Sequence, residues 1–200
     1  MTLVLDCATA RAVCGLVGEG RRELAYASAE GGHAAQRALL LVDEVLARAH
    51  CRAADIGELV VGCGPGSFTG LRIGIATARG LALALGRPCT GVSTLEALAA
   101  GAPGALALVD ARRGELFTLG EAGPSVELPE SVAGRLEPGT LCVGDGARRY
   151  RALLEHAGGI VPPDDDARHA PAAGALAGLA AGGPPEPVYV RRPDAEPRVA

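Results

Sequence analysis

The chain has no tryptophan and no lysine, and its aromatic side chains are limited to Phe68, Phe117, Tyr26, Tyr150 and Tyr189. A core must therefore be assembled from Leu, Val, Ile and Ala, and stacking platforms for unpaired bases are scarce. All 19 basic residues are arginine, which excludes a P-loop lysine, a Schiff-base amine and a lysine general base. A basic excess is lacking too: the formal net charge is −4, whereas independent binding of a polyanion needs a basic face. The pairs Arg112/Arg113, Arg148/Arg149 and Arg191/Arg192 read as solvated surface arginines that reach phosphate only within a complex. The six cysteines show no C-x-x-C spacing and sit largely in apolar runs, as reduced, buried thiols do. His33, His50, His156 and His169 form no H-x-x-x-H or H-E-x-x-H pair, so no metal site made by this chain alone is expected. Asp6 stands where a signal peptide is apolar, and no apolar window of membrane-spanning length lacks Arg or Pro. A cytosolic protein with no membrane partner is the expectation.

What is present is α/β patterning. Short apolar runs at Thr2 to Asp6, Arg11 to Val17 and Glu23 to Ser28, separated by glycine-containing turns, predict three antiparallel strands. From His33 to His50 the period becomes helical, with Ala35, Ala38, Leu39, Leu41, Val42, Val45, Leu46 and Ala49 on one face and Leu40 on the other side. A fourth strand, Glu58 to Cys63, a helix from about Leu71 to Leu85, and a fifth strand, Cys89 to Val92, follow. Ser93 and Glu96 then form a capping box that opens a third helix. The sum is a βββαβαβ unit. Beyond Gly101 to Gly104 a second unit is predicted: strands at Ala105 to Asp110, Glu115 to Leu119 and Thr140 to Gly144, and helices at Arg148 to His156 and Pro171 to Ala181.

The turn Gly62-Cys63-Gly64-Pro65-Gly66-Ser67-Phe68-Thr69-Gly70 sits where a phosphate loop would. Its spacing fails every strong template: the Walker loop lacks its lysine, Gly64, Gly66 and Gly70 miss the dinucleotide spacing by one residue, and Ser67 lacks the glycines of a nucleophile elbow. The turn is read as a device that aims a helix, with Ser67 and Thr69 as caps. That helix is apolar nearly all round. Leu71, Ile75, Leu81, Ala82 and Leu85 form one side, Ile73, Ala76, Gly80, Leu83 and Ala84 the other, and only Arg72 and Arg79 break the surround. Such a helix is covered on both sides; one side meets the sheet, and the other meets either the first helix of this chain or a partner.

The segment Val60-Val61-Gly62-Cys63-Gly64-Pro65-Gly66-Ser67-Phe68-Thr69-Gly70-Leu71-Arg72-Ile73-Gly74 resembles the signature of the TsaB (YeaZ) family. Leu3 to Thr9, Gly91 to Ala99, Asp110 to Glu115 and Val188 to Ala195 match in the same order. The resemblance implies an actin/Hsp70/sugar-kinase-like (ASKHA) α/β fold of two related halves. The first spans residues 1–102; the second, 103–200, is reduced, with its last helix or tail against the first half. It also implies a non-catalytic dimerisation subunit of the complex that makes threonylcarbamoyladenosine beside the anticodon of tRNAs reading codons that begin with A. The implied partners are a TsaD-type catalytic paralogue and a TsaE-type ATPase, with tRNA reached only through the complex and a homodimer formed in isolation. ATP and metal are expected on the partner subunits and no cofactor here. In the catalytic relative, the helix corresponding to the one at His33 carries a histidine pair for a metal; here Arg37 stands four residues after His33. The helical wheel and the resemblance together nominate Leu40, Phe68, Thr69, Arg72, Ile73, Ala76, Arg79, Gly80, Leu83 and Ala84 as the interface. The competing reading is an actin-like small-molecule kinase or ATPase that would hold a nucleotide phosphate with Asp6 and Thr9 of the first turn.

Overall fold

Period-two alternation sorts the first strand into two faces. In the computed structural model, which describes residues 1–120 and 123–190, β1 (Thr2–Asp6) sends Leu3 and Leu5 into one core and Val4 into another across the sheet. It pairs antiparallel with β2 (Arg11–Val17), which pairs antiparallel with β3 (Glu23–Glu30). The strands β4 (Glu58–Gly62) and β5 (Cys89–Val92) add in parallel, giving the order β3-β2-β1-β4-β5. Parallel neighbours need crossovers. These are α1 (Ala38–Arg48), entered through a 3-10 turn at Ala34–Arg37, and α2 (Phe68–Leu85). Both lie on the Leu3/Leu5 face, where Leu41, Val42 and Val45 join Ile75, Ala78 and Ala82. A further helix, α3 (Thr94–Gly101), follows β5.

The second sheet repeats the first in reduced form. The strands β6 (Leu106–Arg112), β7 (Glu115–Gly120) and β8 (Gly123–Glu127) form an antiparallel meander. After α4 (Pro129–Gly134), β9 (Cys142–Val143) pairs parallel with β6, so the order β8-β7-β6-β9 matches β3-β2-β1-β4 strand for strand. In the place of the fifth strand stands a single parallel bridge between Leu141 and Ile160. The helices α5 (Asp145–Arg149) and α6 (Arg151–His156) close a core of Leu108, Leu116, Val132, Cys142, Ala147 and Leu154. Between the sheets, α3 turns Leu95 and Leu98 to Val109 and Phe117 of the second sheet and Ala97 to the first. Finally α7 (Ala173–Gly178) returns to the first sheet, packing Ala173 and Leu176 on Val4, Val13 and Val17. Gly15 makes that possible, since a Cβ there would stand 2.5 Å from the Ala173 Cβ.

Several boundaries differ from the sequence expectation. Helix α2 starts three residues early because the Ser67 hydroxyl caps it, accepting from the Gly70 amide at 3.2 Å. The predicted helix at Arg148 to His156 is two, α5 and α6, meeting at Tyr150. Leu39, assigned by periodicity to the buried face of α1, is 55% exposed because it lies about a quarter-turn from the centre of the buried stripe. Neither β8 nor α4 is in the sequence expectation: Gly123 and Pro124 read as turn residues, and the alternation through Ser125, Val126 and Glu127 is too short to outweigh them. Of the stretch quoted at Val188 to Ala195, the part from Arg191 onward lies outside the described residues.

The glycines of α2 divide into two kinds. A Cβ at Gly70 would lie 2.0 Å from the Cys7 carbonyl oxygen and one at Gly74 3.1 Å from the Cys7 Cβ, whereas Gly80 has nothing within 4 Å. Gly70→Ala is therefore expected to destabilise the fold by about 2 kcal/mol. Gly80→Ala should stabilise it by about 1 kcal/mol. Urea denaturation of the two variants measures both, and equal effects would refute the distinction.

Candidate functional site

β1 ends in Asp6, whose side chain is wholly buried. Its Oδ2 accepts from the Thr94 hydroxyl at 2.6 Å and its Oδ1 from the Ala8 amide at 2.8 Å, while the Thr94 oxygen accepts from the Gly64 amide at 3.1 Å. Gly62 provides the space, because a Cβ there would come within 1.7 Å of Oδ2. Burial pushes the Asp6 carboxyl up to about 6, against the opposing pull of the Thr94 and Ala8 hydrogen bonds; the neighbouring Asp145 adds to the rise.

A nucleotide phosphate at the turn between β1 and β2 needs free amides and a reachable carboxylate. Three of the turn's amides are taken by the chain's own oxygens: Ala8 by Asp6, Ala10 by Asp145 Oδ2 at 2.8 Å, and Arg11 by the Thr9 hydroxyl oxygen at 3.3 Å. That hydroxyl in turn donates to the Arg11 carbonyl at 2.9 Å. From above, the Gly-rich turn closes the space. The Ser67 amide donates to the Ala8 carbonyl at 2.7 Å, and a Cβ at Gly66 would stand 2.2 Å from the same oxygen. Asp6 and Thr9 as placed do not fit a phosphate or its cation. Asp145 also accepts from the Asp110 amide at 3.0 Å, so one half-buried carboxylate joins the two sheets. Beside the turn a cleft of about 320 Å³ remains, with Thr9, His33, Thr69, Ile73 and Arg112 in its walls. Arg112 there is paired with Asp110 at 3.2 Å. Among the described residues no three His, Cys, Asp or Glu side chains converge as metal ligands would.

Helix α2 is divided lengthwise. Leu71, Ile75, Ala78 and Ala82 are buried against the sheet; Phe68, Thr69, Arg72, Ala76, Arg79, Gly80, Leu83 and Ala84 are exposed, and Ile73 is half-buried. The exposed set recurs at helical spacing as one continuous stripe. Leu83 is 85% exposed, and Leu40 on α1 is 60% exposed. By length and composition α2 would also pass for a membrane span, yet its buried stripe packs on β1 and β4. At its start, Phe68 stacks on Tyr189 with ring centroids 5.5 Å apart. The Arg72 guanidinium lies 3.8 Å from the Phe68 centroid, and its Nε donates to the Tyr189 hydroxyl at 3.4 Å. Residues 183–190 form a second wall along the helix. They are tethered by a bridge between Gly183 and Gly91 and by the Val188 amide donating to the Cys63 carbonyl at 2.8 Å. Pro187 faces Arg72, Ala76 and Arg79 across a cleft of about 320 Å³, and Pro185 faces Gly80, Leu83 and Arg87 across one of about 580 Å³. The expectation of a tail against the first half did not extend to these contacts, since Pro185, Pro187 and Tyr189 are remote in the chain from α2 and no local pattern links them.

Two lobes with one strand order, crossover helices on one face of the first and a helix wedged between them define an actin-like α/β protein of the ASKHA class. The (R)-2-hydroxyglutaryl-CoA dehydratase component A of Acidaminococcus fermentans shares that fold, with a TM-score of 0.56 over 90% of this chain and 97% of its own at 13% identity. YeaZ from Pseudomonas aeruginosa superposes with a TM-score of 0.70 at 30% identity, covering 94% of this chain and 98% of its own. An uncharacterized protein of Mycobacterium tuberculosis is 35% identical over 98% of this chain and 93% of its own length. The tRNA threonylcarbamoyladenosine biosynthesis protein TsaB of Escherichia coli is 41% identical over 58% of this chain and 52% of its own. The family model described as TsaD: tRNA N6-adenosine threonylcarbamoyltransferase matches residues 28–133. The chain belongs to the TsaB (YeaZ) family.

The carboxylates of Asp6 and Asp145 make separate predictions. Because the folded pKa of Asp6 lies above that of the unfolded chain, its contribution to stability is fully present below about pH 4 and is lost as pH rises through about 6. Asp6→Asn stays neutral and keeps an acceptor for Ala8, so it should gain roughly 3 kcal/mol relative to the parent between pH 4 and pH 7. Urea midpoints of both proteins across that range test this; a constant difference would refute it. Asp145→Ala leaves the amides of Ala10 and Asp110 without their partner and is expected to cost roughly 3 kcal/mol, read from the same denaturation curves at neutral pH.

Proposed function

We propose that this chain is a non-catalytic pairing subunit in the synthesis of threonylcarbamoyladenosine on tRNA, and that it holds a TsaD-type catalytic paralogue against the face made by α1 and α2. Its relatives in Escherichia coli and Bacillus subtilis carry the name tRNA threonylcarbamoyladenosine biosynthesis protein TsaB. One observation carries the reading: the stripe from Phe68 through Ala76 to Leu83 is apolar between its arginines, and its own sheet does not cover it. The stretch that matches the TsaD model includes α1 and α2. The face is thus formed by elements the chain shares with the catalytic relatives, which favours a quasi-symmetric pairing of like surfaces. In this reading ATP and metal chemistry belong to the partner subunits. A TsaE-type ATPase joins the pair, tRNA is reached only through the assembled complex in the cytosol, and the isolated chain pairs with a second copy.

Ala76→Arg puts a long charged side chain at the middle of the stripe, where the native residue is exposed and small. Co-expression of the tagged chain with the TsaD-type protein of the same genome should yield a co-purified pair, and the variant should lose it. A native chain that retains no such protein would overturn the proposal.

A further inference from the structure

We propose that the exposed face of α2 selects an acidic helix of a different protein over a second copy of this chain, an inference that rests on the pairing role above. From Leu59 through Leu95 the sequence has no Asp or Glu. Within that span Arg72, Arg79 and Arg87 are exposed, and none of the three has an ion-pair partner among the described residues. The facing wall adds one acid, Glu186, between Pro185 and Pro187. Between the arginines the surface is small or apolar, with Ala76, Gly80, Leu83 and Ala84. Gly80 marks the point of closest approach: the contacts of Cys7 explain Gly70 and Gly74, but among the described residues nothing lies within 4 Å of a Cβ at Gly80. A helix laid there meets a low strip flanked by guanidinium forks, whose geometry suits carboxylates.

A second copy is the weaker occupant of this face. Two-fold pairing of α2 with itself about Gly80 sets the same face against itself, so Arg72, Arg79 and Arg87 of one copy approach a surface whose segment from Leu59 through Leu95 offers them no Asp or Glu. Like charges so placed oppose association. Nucleic acid would satisfy the arginines alone, but a phosphate backbone has no use for Leu83 at 85% exposure or for the missing side chain at Gly80.

Salt therefore moves the two associations in opposite directions. Sedimentation and titration calorimetry of the full chain, alone and with the TsaD-type protein of the same genome, would be run at about 50 mM and about 500 mM NaCl. The expected result is a hetero-complex weakened about tenfold by the added salt and a self-association strengthened by it. The double reversal Arg72→Glu with Arg79→Glu should weaken the hetero-complex about a hundredfold, with the Arg→Gln pair intermediate and circular dichroism unchanged. A native chain that binds no such protein at either salt overturns the pairing role and this inference with it. Hetero-binding that stays within about threefold across salt and charge reversal leaves the pairing role standing and overturns the acidic partner. Self-association tighter than the hetero-complex at low salt overturns it as well. So does a loss of bulk tRNA binding in the double reversal with the hetero-complex unchanged, which would assign the arginines to nucleic acid.

Discussion

A carboxylate shut inside a protein must have its oxygens matched by donors or its burial is strongly unfavourable. Asp6 has both matched, by the Thr94 hydroxyl and the Ala8 amide, and Thr94 also receives the Gly64 amide. Through one side chain the end of β1, the Gly-rich turn and the start of α3 are held in a single arrangement. With the turn seated, the Ser67 amide binds the Ala8 carbonyl, and Gly70 and Gly74 lie on Cys7, which sets the axis and rotation of α2. Which stripe of that helix meets the sheet and which meets solvent follows from this contact.

The same groups account for what the cleft between the lobes has become. In the fold class, the turn after the first strand is a natural anion cradle because its amides converge. Here two carboxylates of the chain, Asp6 and Asp145, stand at those amides. Asp145 also reaches Asp110, and Glu30 pairs with both Arg11 and Arg148. Contacts of this kind join the two lobes around the turn that seats α2.

Much of this was legible in the chain. The first half is built from local signals: period two in Leu3-Val4-Leu5, helical period from Ala38 to Leu46, a serine cap before α2, and Gly86 in the left-handed region after it. Those signals sit close together in sequence and depend on few distant contacts. The two apolar sides of α2 were readable too, though only the fold decides which is covered. The second half is different. Its β8 and α4 are held by register with β7 and by Val132 in a core with Leu108 and Leu116, none of which a local pattern reveals. The role of Asp6 was hidden for a related reason: a carboxylate at the end of an apolar strand looks the same whether it faces a ligand or Thr94, a residue far along the chain.

Gly80 poses an energetic question that the isolated fold does not answer. A glycine inside a helix costs about 1 kcal/mol relative to alanine, a noticeable share of a native stability of roughly 5–15 kcal/mol. At Gly70 and Gly74 the loss is offset by close packing on Cys7; at Gly80 no neighbour offsets it. The opposite wall of the groove is meanwhile ordered in advance, with Tyr189 held by Phe68 and Arg72 and with Val188 bonded to Cys63. Ordering one side of a groove before anything binds lowers the entropy lost on association. A helix weakened at one point and a wall stiffened beside it make little sense for a chain acting alone. In the proposed pairing role, together they would let another backbone approach closely at little cost in freedom.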